Sequence, residues 1–74
     1  MSLTPEELGR IVRIERKAMG LTQADLALTS GTGMRFISEL ENGKPTCQIG
    51  KTLTVLKTLG LRLTLSPQQS PGGR

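Results

Sequence analysis

Thr22-Gln23-Ala24-Asp25-Leu26-Ala27-Leu28-Thr29, then Ser30-Gly31-Thr32-Gly33, then Met34-Arg35-Phe36-Ile37-Ser38-Glu39-Leu40-Glu41, closed by Asn42-Gly43-Lys44, is the stretch that decides the fold. Two short helix patterns flank a tight turn. Thr22 is placed to cap the first, and Asp25 three residues on suits the positive end of the helix dipole. Leu26 is a core candidate, and Ala27 is small enough for a close helix crossing. Gly31 ends this helix. Thr32 or Gly33 caps the next one, which carries Ile37 and Leu40 on its inner face and stops before Gly43. A short helix held across a second short helix can enter the major groove of DNA and read base edges.

Upstream, Thr4 can cap a first helix, with Pro5 at its first position and Glu7 at capping-box spacing. Leu8, Val12 and Met19 recur on one face, while Ile11 and Ile14 form a second apolar edge. Gly20 serves as the C-cap glycine. Downstream, Lys44-Pro45-Thr46 links to a fourth helix capped by Thr46. There Ile49, Leu53, Leu56 and Leu59 follow helical spacing and Gly60 ends the run, although Gly50 weakens the first turn.

After Gly60 the period changes. Leu61-Arg62-Leu63-Thr64-Leu65 alternates apolar and polar, which reads as a strand. A lone strand leaves backbone groups unpaired on both edges. The economical partner is the same strand of a second copy, with Leu61, Leu63 and Leu65 buried across a twofold axis. Residues 66–74 are rich in Pro, Gly, Ser and Gln and read as a disordered tail. The expected architecture is all-α: a domain of four to five helices over 4–65, with a C-terminal β-strand at 61–65 pairing across a homodimer.

Composition narrows the function. Seventy-four residues make one domain at most, and a chain so small buries only about 60% of its unfolded surface. Cys47 is the only cysteine, so no disulfide can reinforce that core, and oligomerisation is the remaining stabiliser. The thiol reads as structural or incidental. With no His in the chain, a His-based zinc site and a His-dependent nucleophile are excluded. No metal, cofactor or small-molecule ligand is implied, and nothing supports an enzyme. A net charge of +4 and a pI near 10.0 favour a polyanionic partner. Phe36 is the sole aromatic, which disfavours the stacking platforms used on single-stranded nucleic acid. No apolar run is long enough for a membrane span, and Met1-Ser2-Leu3-Thr4-Pro5 lacks the features of a signal peptide. Cytoplasm is the expected compartment.

Leu21-Thr22-Gln23, Leu26-Ala27, Gly31 and Ile37-Ser38-Glu39-Leu40-Glu41-Asn42-Gly43-Lys44 resemble the Xre/Cro-type helix-turn-helix of phage repressors and bacterial regulators. The likeness continues through Leu53, Leu56, Leu59 and Gly60. The closing Leu61-Arg62-Leu63-Thr64-Leu65 narrows it to a branch resembling HipB, the antitoxin of HipA-type kinase toxins, in which a C-terminal strand pairs between subunits. The resemblance implies that Gln23, at the start of the second helix, contacts the DNA backbone and orients the reading helix. It assigns Met34, Arg35, Ser38 and Glu39 to the groove. It assigns Asn42 and Lys44 to the loop that meets phosphate, with Arg16 and Glu41 as an internal ion pair. Two residues depart from the pattern: Thr32 stands where Val or Ile is usual, and Gly33 where a Ser or Thr caps the reading helix.

The residues themselves sharpen some of these roles. The Arg35 fork matches the O6/N7 edge of guanine, a contact worth about 1–3 kcal/mol of discrimination. Ser38 both donates and accepts, so it discriminates poorly. Glu39 repels phosphate, so it either accepts from cytosine N4 or restrains Arg35 one turn away. Met34 either touches a thymine methyl or packs at the helix start. Phe36 closes the edge of the core or packs beside the sugar-phosphate backbone. Lys44, Lys51 and Gln23, together with Thr22, Gly33 and Asn42, are the candidates for phosphate contacts that carry no sequence information.

The expected function is a repressor that binds a palindromic operator on double-stranded DNA as a homodimer, with half-sites about 34 Å or a multiple apart. The resemblance implies the antitoxin of a HipA-like kinase toxin–antitoxin operon. The competing readings are a protein-interaction module that neutralises a partner kinase, with DNA binding secondary, and a solitary regulator with no toxin. Ile11, Ile14 and Leu28 exceed what one small core needs and are extra core, dimer surface or a docking patch.

Overall fold

Thr4 opens the first helix through a reciprocal cap: its hydroxyl accepts from the Glu7 amide at 3.1 Å, and the Glu7 carboxylate accepts from the Thr4 amide at 3.0 Å. In the computed structural model, which describes residues 3–67, four helices follow: α1 Pro5–Ala18, α2 Gln23–Ser30, α3 Met34–Glu41 and α4 Ile49–Thr58. The fold is all-α, with four helices among the described residues. Thr22 repeats the capping device at α2, bonding the Asp25 amide at 3.0 Å while Asp25 accepts from the Thr22 amide at 2.9 Å. Each cap satisfies donors that a helix start otherwise leaves unpaired.

The turn between α2 and α3 reverses at Gly31, whose φ of 73° lies in the left-handed region that side chains disfavour. Beyond it the Thr32 amide donates to the Ala27 carbonyl at 2.9 Å. The Ser30 hydroxyl donates to the Leu26 carbonyl at 2.7 Å and lies 2.9 Å from the Thr32 hydroxyl. Thr32 therefore meets this turn with a polar contact where an aliphatic residue is usual. Ser30 is buried without an unsatisfied hydroxyl.

α3 packs against both α1 and α2, and α2 also packs against α4. Val12, Leu26, Ile37 and Val55 are fully buried at the centre, with Ala27, Leu40, Leu56 and Leu59 around them. Leu8, Leu21, Phe36, Cys47 and Leu61 lean on that cluster from its edge. At Gly9, α1 crosses the last turn of α3 with no room for a side chain. A Cβ there would overlap the Leu40 carbonyl oxygen and lie 2.7 Å from that of Glu41.

Several sequence expectations are corrected. Met19 is exposed, because it is the C-cap of α1 and lies past its packed turns, with Gly20 following. Thr46 does not cap α4: the chain spends Pro45 and Thr46 in a turn, and Gln48 caps the helix without a side-chain bond. The inner face of α4 is Thr52, Val55, Leu56 and Leu59, leaving Ile49 and Leu53 outside. Thr52 can be buried because its hydroxyl donates to the Gln48 carbonyl at 2.8 Å. Ile11, Ile14 and Leu28 are exposed and add nothing to the core.

No strand forms among the described residues. Residues 61–67 run without regular secondary structure and form no strand pairing among the described residues, although the Leu61 amide donates to the Leu56 carbonyl at 2.8 Å. Leu61 is half-buried, while Leu63 and Leu65 are exposed. Of the tail expected over 66–74, residues 68–74 lie outside the described residues.

Candidate nucleic-acid interface

One buried guanidinium sets the angle of the helix pair. Arg16 Nε lies 2.6 Å from Glu41 Oε2 and Nη2 lies 3.1 Å from Glu41 Oε1, a two-point fork across α1 and α3. Nη1 donates to the Leu21 carbonyl at 2.7 Å, which fixes the link into α2. Gln23, the first residue of α2, donates its amide to Glu41 Oε1 at 3.1 Å. The Glu41 carboxylate thus accepts from both α1 and α2. Burial pushes the Glu41 carboxyl up, but the hydrogen bonds from Arg16 and Gln23 outweigh it and hold the group below the usual range. Hydrogen bonding to Glu41 likewise raises the Arg16 guanidinium against the opposing effect of burial. Both stay charged, and each compensates the other's desolvation.

This clamp leaves the far side of α3 outward. Ile37 and Leu40 point into the core, Phe36 is half-buried, and Met34 is exposed. Arg35 stands furthest out, its side chain 91% exposed. Ser38 and Glu39 are half-buried one turn on, and Asn42 follows at the exposed C-cap. Residues 34, 35, 38 and 39 fall on one face by helical spacing. Gly33 caps α3 without a side-chain bond, and a Cβ there would meet nothing within 4 Å. The helix start is open on that side.

Charge on this face is paired. Arg35 Nε lies 3.4 Å and Lys44 Nζ 3.1 Å from the same oxygen, Glu39 Oε2. The hydrogen bond from Lys44 outweighs the opposing effect of burial and, with the charges of Lys44 and Arg35, holds the Glu39 carboxyl below its ordinary range. Lys51 sits over the Phe36 ring, 5.8 Å from its centroid, a cation–π distance. Between them lies an open groove of about 370 Å³ lined by Gly33, Arg35, Phe36, Glu39, Gln48 and Lys51 among others. Of the residues predicted for phosphate, Thr22 and Gln23 are committed to internal bonds, Lys44 is paired to Glu39, and Asn42 and Lys51 lie on the surface.

Cys47 borders this groove, half-buried, with its thiol pushed up mainly by burial and further by Glu39. Among the described residues, no group of His, Cys, Asp or Glu is arranged to hold a metal ion. No described helix is long and apolar enough to cross a membrane. Sequence reasoning missed five contacts here: Gly9 against α3, the Leu21 carbonyl on Arg16, Gln23 on Glu41, Lys44 on Glu39, and Lys51 over Phe36. Only the first left a signal, a glycine inside an otherwise strong helix pattern.

The helix-turn-helix family profile matches residues 12–65. The chain belongs to the Xre-type helix-turn-helix family. A helix-turn-helix-type transcriptional regulator of Sinorhizobium fredii, y4mF, is 51% identical over 71 residues, covering 96% of this chain and 90% of that one. Among solved structures, HipB in a complex with an O4 20-mer superposes with a TM-score of 0.80 at 26% identity, over 93% of this chain and 97% of that one. A chain of the HipA–HipB–O2–O3 complex gives 0.81 at 26% identity over the same shares. This helix-turn-helix chain is therefore a DNA-binding transcriptional regulator of the four-helix, all-α kind.

Proposed function

We propose that this regulator is a sequence-specific repressor that binds a palindromic operator on double-stranded DNA as a homodimer. It acts by occluding a promoter in the cytoplasm, with no catalytic step. The observation that carries this is the outward face of α3, where Arg35 projects almost fully into solvent while the Arg16–Glu41 clamp fixes the helix beneath it. Met34, Arg35, Ser38 and Glu39 form the face presented to base edges. Thr22, Gln23, Gly33, Asn42, Lys44 and Lys51 surround it on the side facing the phosphates. Residues 61–65, which form no strand pairing among the described residues, supply the dimerising strand through Leu61, Leu63 and Leu65.

The likeness to HipB, in its complex with an O4 20-mer and in the HipA–HipB–O2–O3 complex, supports a narrower reading. The chain is the antitoxin of a HipA-like kinase and represses the operon that encodes both. Ile11, Ile14 and Leu28 are exposed and are apolar surface that such a partner would use.

The test is anisotropy titration against a duplex from upstream of the coding sequence and a scrambled control, at two salt concentrations. Tight binding to the upstream duplex alone, with a steep salt slope, is the expected result. Equal weak binding to both would replace the repressor with the interaction module.

A further inference from the structure

The polar face of α3 is wired more tightly than a solvated surface needs. A single oxygen, Glu39 Oε2, serves two cations, with Arg35 Nε at 3.4 Å and Lys44 Nζ at 3.1 Å. Lys44 is held a second time, its backbone amide donating to the Glu39 carbonyl at 3.0 Å. Arg35 is engaged through Nε. Among the described residues its two terminal nitrogens bond no protein group, and the side chain is 91% exposed. Those terminal nitrogens are a fork suited to bidentate recognition of guanine.

Such a cluster responds differently to a phosphate and to a base. A phosphate is a competitor of Glu39 for Lys44, because an ammonium is a point charge that follows the stronger anion. A base edge does not compete for Arg35 Nε, because the terminal nitrogens are available without breaking the contact. We propose that Glu39 couples backbone contact to base reading. When a phosphate takes Lys44, the carboxylate is left to Arg35 alone and holds its guanidinium with the fork turned outward. Glu39 is thus a positioning residue that sets specificity, and it need not touch a base itself. DNA with no matching base must still strip Lys44 from the carboxylate and regains nothing through Arg35, so the penalty falls on non-specific sites. This inference rests on the DNA-binding face proposed above.

The test is Glu39→Gln, which keeps size and shape and removes the charge, measured against the upstream and scrambled duplexes across a salt series. Glu39 lies outside the core, and circular dichroism checks that the fold is retained. Affinity for the scrambled duplex is expected to rise about two- to fivefold, the scale of one exposed ion pair. The salt slope stays close to that of the wild type, because Lys44 meets a phosphate in both proteins, and the ratio of upstream to scrambled affinity falls. In a Lys44→Ala background, Glu39→Gln raises scrambled-duplex affinity less than it does alone. A variant that loses preference at one base pair, with scrambled affinity unchanged, would overturn the coupling and make Glu39 a direct base reader. A variant unchanged in every measurement overturns it too. Wild-type protein that binds neither duplex overturns the repressor reading itself, which separates the two failures.

Discussion

Arg16 and Glu41 lie 2.6 Å apart with side chains only 8% and 3% exposed, and they join the first helix to the end of the third. Two charges removed from water repay their desolvation only while both remain. Arg16→Ala and Glu41→Ala are each expected to cost about 3–5 kcal/mol. That is a large share of the total stability of a domain this size. An Arg16→Met/Glu41→Leu double variant leaves no orphan charge and is expected to recover most of the loss. Urea denaturation of the three variants checks this, and a double variant as unstable as the singles would assign the loss to packing and to the lost bonds with the Leu21 carbonyl and Gln23 rather than to an orphan charge.

The same carboxylate makes stability depend on acid. Glu41 is pushed up by burial and pulled further down by its bonds from Arg16 and Gln23, so its folded-state pKa lies below the ordinary value. The unfolded chain therefore takes up that proton at a higher pH than the folded one. The contribution is complete above the ordinary carboxylate range and is lost as pH falls through the folded-state pKa. Urea midpoints are expected to be flat near neutrality and to fall in acid. Glu41→Gln should start lower and fall less. It keeps a residual slope, because Asp25, hydrogen-bonded by Thr22, and Glu39, hydrogen-bonded by Lys44, are lowered in the same direction.

Gly9 and Gly50 offer opposite outcomes for one substitution. At Gly9 a Cβ would meet the carbonyls of Leu40 and Glu41, which are backbone and cannot turn aside. The gain in helix propensity, about 1 kcal/mol, is then outweighed by overpacking of about 1–3 kcal/mol or more, and α1 is driven off α3. At Gly50 nothing lies within 4 Å, so Gly50→Ala is expected to stabilise by up to about 1 kcal/mol. Thermal melts of the two variants should move in opposite directions, and a stabilising Gly9→Ala would refute the close crossing.

The caps and the inner faces of α2 and α3 were legible because they obey local rules. Thr4 with Glu7 and Thr22 with Asp25 are spaced for caps, and Leu26, Ile37 and Leu40 follow the helical period. In α4 the helical spacing correctly points Leu56 and Leu59 inward but also selects Ile49 and Leu53 over Thr52, whose hydroxyl is satisfied by its own helix. Only the tertiary packing decides that choice. Arg16 and Glu41, 25 positions apart, carry no local signal, and their pairing entered through family resemblance alone. Lys44 on Glu39 was missed because the chain bends back after Asn42, where helical spacing no longer predicts neighbours.

Arg35 and Lys44 should fail in different ways. Arg35→Ala removes a fork but little general charge, so it is expected to weaken upstream-duplex binding and relax one base pair per half-site, by about 1–3 kcal/mol. Lys44→Ala should weaken binding to all sequences alike and flatten the salt slope by about one contact. Competition against a library of single-base operator variants reads both effects. Sequence preference unchanged in Arg35→Ala would remove that residue from the readout.

Leu63 tests whether the two half-sites are bound by one assembly. It is exposed within the chain, beside an apolar groove of about 300 Å³ formed with Leu3, Leu8, Ile11, Leu56 and Leu61. It is not part of the buried core. A charge at this position therefore leaves the four helices intact and acts on whatever covers the segment. Leu63→Lys is expected to retain its helical circular dichroism and to sediment as a monomer. It should lose most operator affinity, because the second half-site then binds without the effective concentration that linkage supplies. Its binding to a single half-site should equal that of the wild type, since the α3 face is untouched. An intact dimer in sedimentation would place the protomer contact elsewhere and free residues 61–65 from that role.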